Sequence, residues 1–81
     1  MIALQINKED IGLIIRNIRK EKGISQDVLS GLAGIARTHL TMIENGTKQP
    51  NFETLCKIAS AFGLKPSELI KRIEETLEKR Q

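Results

Sequence analysis

The chain has no tryptophan or tyrosine, one cysteine, one histidine and two phenylalanines in 81 residues, and each scarcity removes a class of protein. Cys56 has no second cysteine to pair with, which excludes an internal disulfide. Cys56 and His39 together fall short of the four ligands of a structural zinc site, so no metal is expected. With so few aromatics the interior must be built from Ile, Leu, Val and Ala, a mixture that favours packed helices over a β-sandwich. No apolar run approaches the roughly 18 residues that cross a membrane. The opening MIALQINKED lacks the basic region and long apolar stretch of a signal peptide. The expected setting is therefore a reducing cytoplasm without a membrane partner. Nucleophilic catalysis needs a base beside a nucleophile, and one His, one Cys and no paired acids in a recognisable motif argue against an enzyme and against any cofactor.

Charge of one sign is also in short supply. The formal net charge is only +3, compatible with a polyanionic partner without demanding one. Residues 25–63 carry three basic and three acidic side chains and are formally neutral. If this middle segment binds an anion, it must do so by placing a few cations on one face.

What the chain does have is punctuation. Glycine and proline divide it into segments with helical apolar spacing, each too short for a long helix. The first helix begins near Asn7, an N-cap with Asp10 three residues on, and sets Ile11, Ile15 and Ile18 on one side before Gly23. Ser25 caps a second, from Gln26 to about Ala33, with Leu29 and Leu32 facing inward and Gly34 at its end. A third runs from about Arg37 to Glu44, with Leu40 and Ile43 inward and Asn45-Gly46 as its exit. Pro50 and Asn51 open a fourth with a stripe of Phe52, Leu55, Ile58, Ala59 and Phe62. Pro66 starts a fifth that carries Leu69, Ile70, Ile73 and Leu77. Residues 1–81 thus read as one compact all-α domain of five helices, its core at about residues 11–70, with frayed ends.

The stretch SQDVLSGLAGIARTHLTMIENG joins two short helices through Gly34-Ile35-Ala36, a turn too short for a long antiparallel pairing. The pair must cross steeply, which leaves the second helix protruding, as in a helix-turn-helix that enters a major groove about 12 Å wide. The same crossing is also simply a way to pack helices. From about Ile11 to Ile70 the sequence closely resembles the phage-repressor and Xre-type (Cro/C1-like) helix-turn-helix family. The resemblance rests on Arg19, Gly23-Ile24-Ser25-Gln26, Leu32-Ala33 with Gly34-Ile35, Ile43-Glu44-Asn45-Gly46, and Pro50. It implies a lambda-repressor-like fold and a transcriptional regulator of double-stranded DNA. Two departures stand out: Ser30-Gly31 replace the frequent Ala and charged residue, and Ala36 replaces the usual Ser or Thr cap, which should weaken the third helix by about 0.5–2 kcal/mol.

On this reading the third helix reads bases. Arg37, in its first turn, can pair bidentately with guanine O6 and N7. Thr38, Thr41 and Met42 share its outward face and can meet bases or a thymine methyl, although Met42 could equally fill the edge of the core. His39 suits a phosphate-facing or solvated position better than a switch. The resemblance further implies that Gln26 anchors the second helix to a phosphate, where free N–H groups already favour an anion. It implies too that Asn45, Thr47, Lys48 and Asn51 clamp the DNA backbone, and that Arg19 and Glu44 form a structural pair tying helix one to the recognition helix.

The apolar stripe Leu69, Ile70, Ile73 and Leu77, in a terminal helix of about residues 66–79, continues past what four short helices should bury. An apolar stripe left in water is a sticky patch, so a homodimer is expected, its two-fold matching a palindromic operator. The alternative is that the tail folds back on its own core. The run Arg37-Thr38-His39-Leu40-Thr41 is similar to that of restriction-modification controller proteins, with His39 in place of an aromatic. A phage-type repressor, an antitoxin or a protein-binding adaptor that does not act mainly by reading DNA are the other readings. With no chain left for a sensing domain after the fifth helix, no small-molecule ligand is expected.

Overall fold

A computed structural model describes residues 6–79. Five helices follow in order: α1 (Lys8–Glu21), α2 (Gln26–Ala33), α3 (Arg37–Glu44), α4 (Phe52–Ala61) and α5 (Pro66–Lys79). The expected frayed ends fall at 1–5 and 80–81, outside the described residues.

Local chemistry accounts for the boundaries. The carboxamide oxygen of Asn7 accepts from the Asp10 amide at 2.8 Å, Ser25 Oγ from Val28 at 3.1 Å, and Asn51 Oδ1 from Thr54 at 2.8 Å. Each cap satisfies a donor that the first helical turn leaves without a partner. α3 begins at Ala36 with no side-chain cap, as its sequence requires.

The helices pack in a closed ring: α1 against α3, α3 against α2, α2 against α4, α4 against α5, and α5 back against α1. Inside it lie Ile15, Ile18, Leu29, Leu40, Ile43, Ile58 and Leu69, all fully buried. Burial of each such side chain is worth about 1.5–3 kcal/mol, so the ring is held chiefly by aliphatic packing. A close approach occurs at Gly12 on α1, where a methyl group would lie 2.1 Å from the carbonyl oxygen of Ile43. Only a residue without Cβ lets the end of α3 rest on α1 this closely.

Closure of the ring corrects three expectations. Leu32 is 63% exposed and Phe52 69% exposed. Each sits about 100° around its helix from the centre of the buried line, which Leu29, Ser30 and Ala33 occupy on α2 and Ile58 and Phe62 on α4. The third concerns the terminal stripe. Leu69, Ile73 and Leu77 are buried within the chain's own core, and only Ile70, 40% exposed, faces out. The extra cover comes from α1, whose 14 residues reach along α5. Arg72 Nη2 also donates to both carboxylate oxygens of Glu21 across the α1–α5 seam, at 3.2 and 3.0 Å.

Candidate nucleic-acid interface

The α2–α3 crossing is made by three residues. Gly34 ends α2 in the left-handed region (φ 71°, ψ 34°), the amide of Ile35 donates to the Ser30 carbonyl at 3.0 Å, and Ala36 is extended before α3 starts. This Schellman-type ending turns the chain sharply at low cost because glycine tolerates positive φ. Leu40 and Ile43 are buried and the C-terminal end of α3 rests on Gly12. The face bearing Arg37, Thr38 and Thr41 remains outside.

Beneath that face runs a polar network that fixes α1, α2 and α3 relative to one another. Arg19 Nε donates to Glu44 Oε2 at 2.7 Å, and Arg19 Nη2 to Glu44 Oε1 at 3.0 Å. Arg19 Nη1 donates to the Ile24 carbonyl at 3.0 Å. Gln26 Nε2 donates to Glu44 Oε1 at 3.0 Å, and Thr41 Oγ1 donates to Gln26 Oε1 at 2.8 Å. The side chain of Arg19 is 12% exposed and that of Glu44 3%. The Arg19 guanidinium is held above its ordinary pKa, first by the hydrogen bonds it donates to the Glu44 carboxylate and, against the opposing effect of burial, also by the charge of Glu44. Arg19 therefore stays charged at every pH the fold meets. The two residues form the structural pair read from the sequence, and Glu44 is the hub on which Gln26 and, through it, Thr41 are placed.

That arrangement refines several sequence expectations. Both ends of the Gln26 carboxamide are engaged within the protein, which fixes its orientation at the start of α2 and leaves its second Nε2 hydrogen, beside the backbone N–H groups there, as a donor for an anion. The single hydroxyl proton of Thr41 is directed to Gln26 and to the Arg37 carbonyl, 3.0 Å away, which leaves the residue as an acceptor and a methyl surface. Asn51 Oδ1 is used as the α4 cap. Asn45 Oδ1 accepts from the amide of Thr47 at 2.9 Å and from its hydroxyl, folding the loop so that the exposed Lys48 follows directly. Arg37 is 63% exposed, with Nε 3.3 Å from Asp27 Oδ1. Thr38 is exposed, Met42 is 40% exposed, and His39 is half-buried.

One cation escaped the reading of the sequence. Arg16, exposed on α1, joins Arg19, Gln26, Thr41, Glu44 and Asn45 around an open polar cleft of about 240 Å³. The available signal was its position three residues before Arg19, on the same flank of an amphipathic helix. The cleft combines an exposed guanidinium with an asparagine beside the outward face of α3, a chemistry suited to a phosphate. Among the described residues no helix is long and apolar enough to cross a membrane.

A helix-turn-helix family model, HTH_3, matches residues 15–69. The chain is 30% identical over 66 residues to the HTH-type transcriptional regulator y4dJ of Sinorhizobium fredii, covering 82% of this chain and 86% of that protein. It is 33% identical over 60 residues to the control protein C.BamHI of Bacillus amyloliquefaciens, covering 73% and 74%. In structure it is similar to the restriction-modification controller protein C.AhdI of Aeromonas hydrophila, with a TM-score of 0.72 and 31% identity over 76% of this chain and 94% of that one.

Proposed function

The chain belongs to the helix-turn-helix family HTH_3, a family of transcriptional regulators, and from that premise we propose that it binds a specific double-stranded DNA site as a homodimer. The observation that carries the reading is the outward face of α3. Arg37, Thr38, Thr41 and Met42 stand out from the fold there without an acidic residue among them. α3 enters the major groove, Arg37 reads a guanine, and Thr38, Thr41 and Met42 contact neighbouring bases. Arg16, Asn45, Thr47, Lys48 and the backbone at the start of α2 hold the phosphates, with His39 at their edge.

The dimer is read from a different face than the buried stripe of α5. Phe52 and Ile70 are exposed and line one groove together with Pro66, Ser67, Lys71 and Glu74. Phe52 opens α4 directly after the loop that follows α3, and the reading requires a two-fold through this groove that keeps both recognition helices on one side. Half-sites would then lie about 34 Å, or ten base pairs, apart in a palindromic operator. Residues 1–81 act in this reading as one DNA-binding unit. Among regulators of this kind, the likeness to C.AhdI and C.BamHI favours control of restriction-modification genes.

Selection of bound duplexes from random DNA tests the reading. A palindromic motif is the expected result, and recovery of no sequence would instead favour an adaptor that binds protein. On the selected site Arg37→Ala should weaken binding by about 1–3 kcal/mol and relax one base pair. Lys48→Ala should weaken all duplexes alike and lower the salt slope by about one unit. Equal losses for Arg37→Ala on specific and random DNA would remove the base contact.

A further inference from the structure

Resting on the reading of α3 as the base-reading helix, we infer that Asp27 is a positioning residue that makes Arg37 selective for bases over phosphates. Asp27 is the second residue of α2 and Arg37 the first of α3. They lie on opposite sides of the turn, with Arg37 Nε 3.3 Å from Asp27 Oδ1 and side-chain exposures of 63% and 69%. An ion pair this open adds little to the stability of the fold. Its consequence is for the guanidinium itself. The carboxylate lies beside the Nε edge, which leaves the two terminal nitrogens, Nη1 and Nη2, facing away from it as a fork. That fork is the part of arginine that matches O6 and N7 of guanine.

The carboxylate lies in the first turn of α2, where the positive end of the helix dipole favours an anion. Asp27 is thus an anion favoured at this point beside an otherwise flexible cation. It restrains the rotamers of Arg37, so less freedom is lost when a base is met. It also places a negative charge where a phosphate would have to approach for Arg37 to grip the DNA backbone. A phosphate, with its full charge, is therefore repelled at this point more strongly than a guanine edge, whose O6 and N7 carry only partial charge. Asp27 accordingly contributes to discrimination more than to total affinity.

The test compares wild type, Asp27→Ala, Arg37→Ala and the double variant on the duplex recovered by selection and on an unrelated duplex of equal length. Asp27→Ala should strengthen binding to the unrelated duplex by roughly two- to fivefold and steepen its salt dependence by up to about one unit, as a freed cation meets a phosphate. It should reduce the ratio of specific to unrelated binding by roughly five- to twentyfold, a part of what one bidentate pair supplies. The relaxation should fall on the base pair that Arg37 reads. In the Arg37→Ala background the same substitution should change the ratio less than about twofold, since an agent acting through Arg37 has nothing left to act on. Thermal melts should coincide for wild type and Asp27→Ala. If they do not, Asp27→Asn, which keeps an acceptor at the helix start, takes its place with the same expected direction. Equal losses in both backgrounds, or an Asp27→Ala variant with unchanged base preference beside an Arg37→Ala variant that has lost it, would overturn the role of Asp27 alone. An Arg37→Ala variant that keeps its base preference would overturn that role and the reading of α3 together.

Discussion

Arg19→Ala should bring the chain close to unfolding, although Arg19 touches no expected DNA contact other than through its partners. In the native state Arg19 gives the Glu44 carboxylate two of its three hydrogen bonds, the third coming from Gln26. Removing the guanidinium leaves an anion whose side chain is 3% exposed with one neutral donor. The Ile24 carbonyl loses a donor as well. Breaking a buried pair on one side costs about 3–5 kcal/mol. A chain of 81 residues at about 0.05–0.15 kcal/mol per residue has roughly 4–12 kcal/mol to lose. At about 4–8 °C per kcal/mol for a domain of this size, the melting temperature should fall on the order of 12 °C or more. Glu44→Ala should cost less, because Arg19, 12% exposed, can turn partly to water. Replacing both partners by apolar residues of similar volume, Arg19→Met with Glu44→Leu, should recover most of the loss, since neither buried charge is then left alone. DNA affinity should not recover with it, because Gln26 and Thr41 are placed from Glu44. Urea unfolding of the four proteins, with operator binding measured beside it, checks the chain of argument. An Arg19→Ala cost below about 1 kcal/mol, or a double variant no more stable than Arg19→Ala, would refute it.

Gly12→Ala should destabilise by about 1–3 kcal/mol despite the better helix propensity of alanine, because its Cβ meets the Ile43 carbonyl at 2.1 Å; a variant that melts at or above wild type would show that α1 and α3 can separate freely. Ala36→Ser should raise stability by about 0.5–1 kcal/mol, since the position is already extended and lacks a capping hydrogen bond, and a thermal melt decides it. Ile70→Asp should leave a folded monomer in sedimentation equilibrium, whereas Ile73→Asp should unfold the chain, because Ile70 is 40% and Ile73 4% exposed; an Ile70→Asp variant that still dimerises at tens of micromolar places the two-fold elsewhere.

Much of this molecule is legible along the chain. The caps Asn7, Ser25 and Asn51, the stop at Gly34 and the start at Pro66 act within a few residues of themselves, and the helix boundaries follow them closely. The helix-turn-helix spacing was readable as an ordered series of short motifs, and the Arg19–Glu44 pair through the family resemblance that those motifs carry. Periodicity alone could not say how far around a helix the core extends. It placed Leu32 and Phe52 inside and the α5 stripe outside, and the packing reversed all of these but Ile70: Leu32 and Phe52 are exposed, while Leu69, Ile73 and Leu77 are buried against neighbouring helices. Nor could the chain show that Gln26 would be spent on Glu44, that Arg16 would reach the same cleft, or that Asp27 would stand beside Arg37. Sequence determines local conformation because turns and caps are satisfied by near neighbours. Which polar group meets which across 10 or 18 residues is decided only when the ring of helices closes and brings them together.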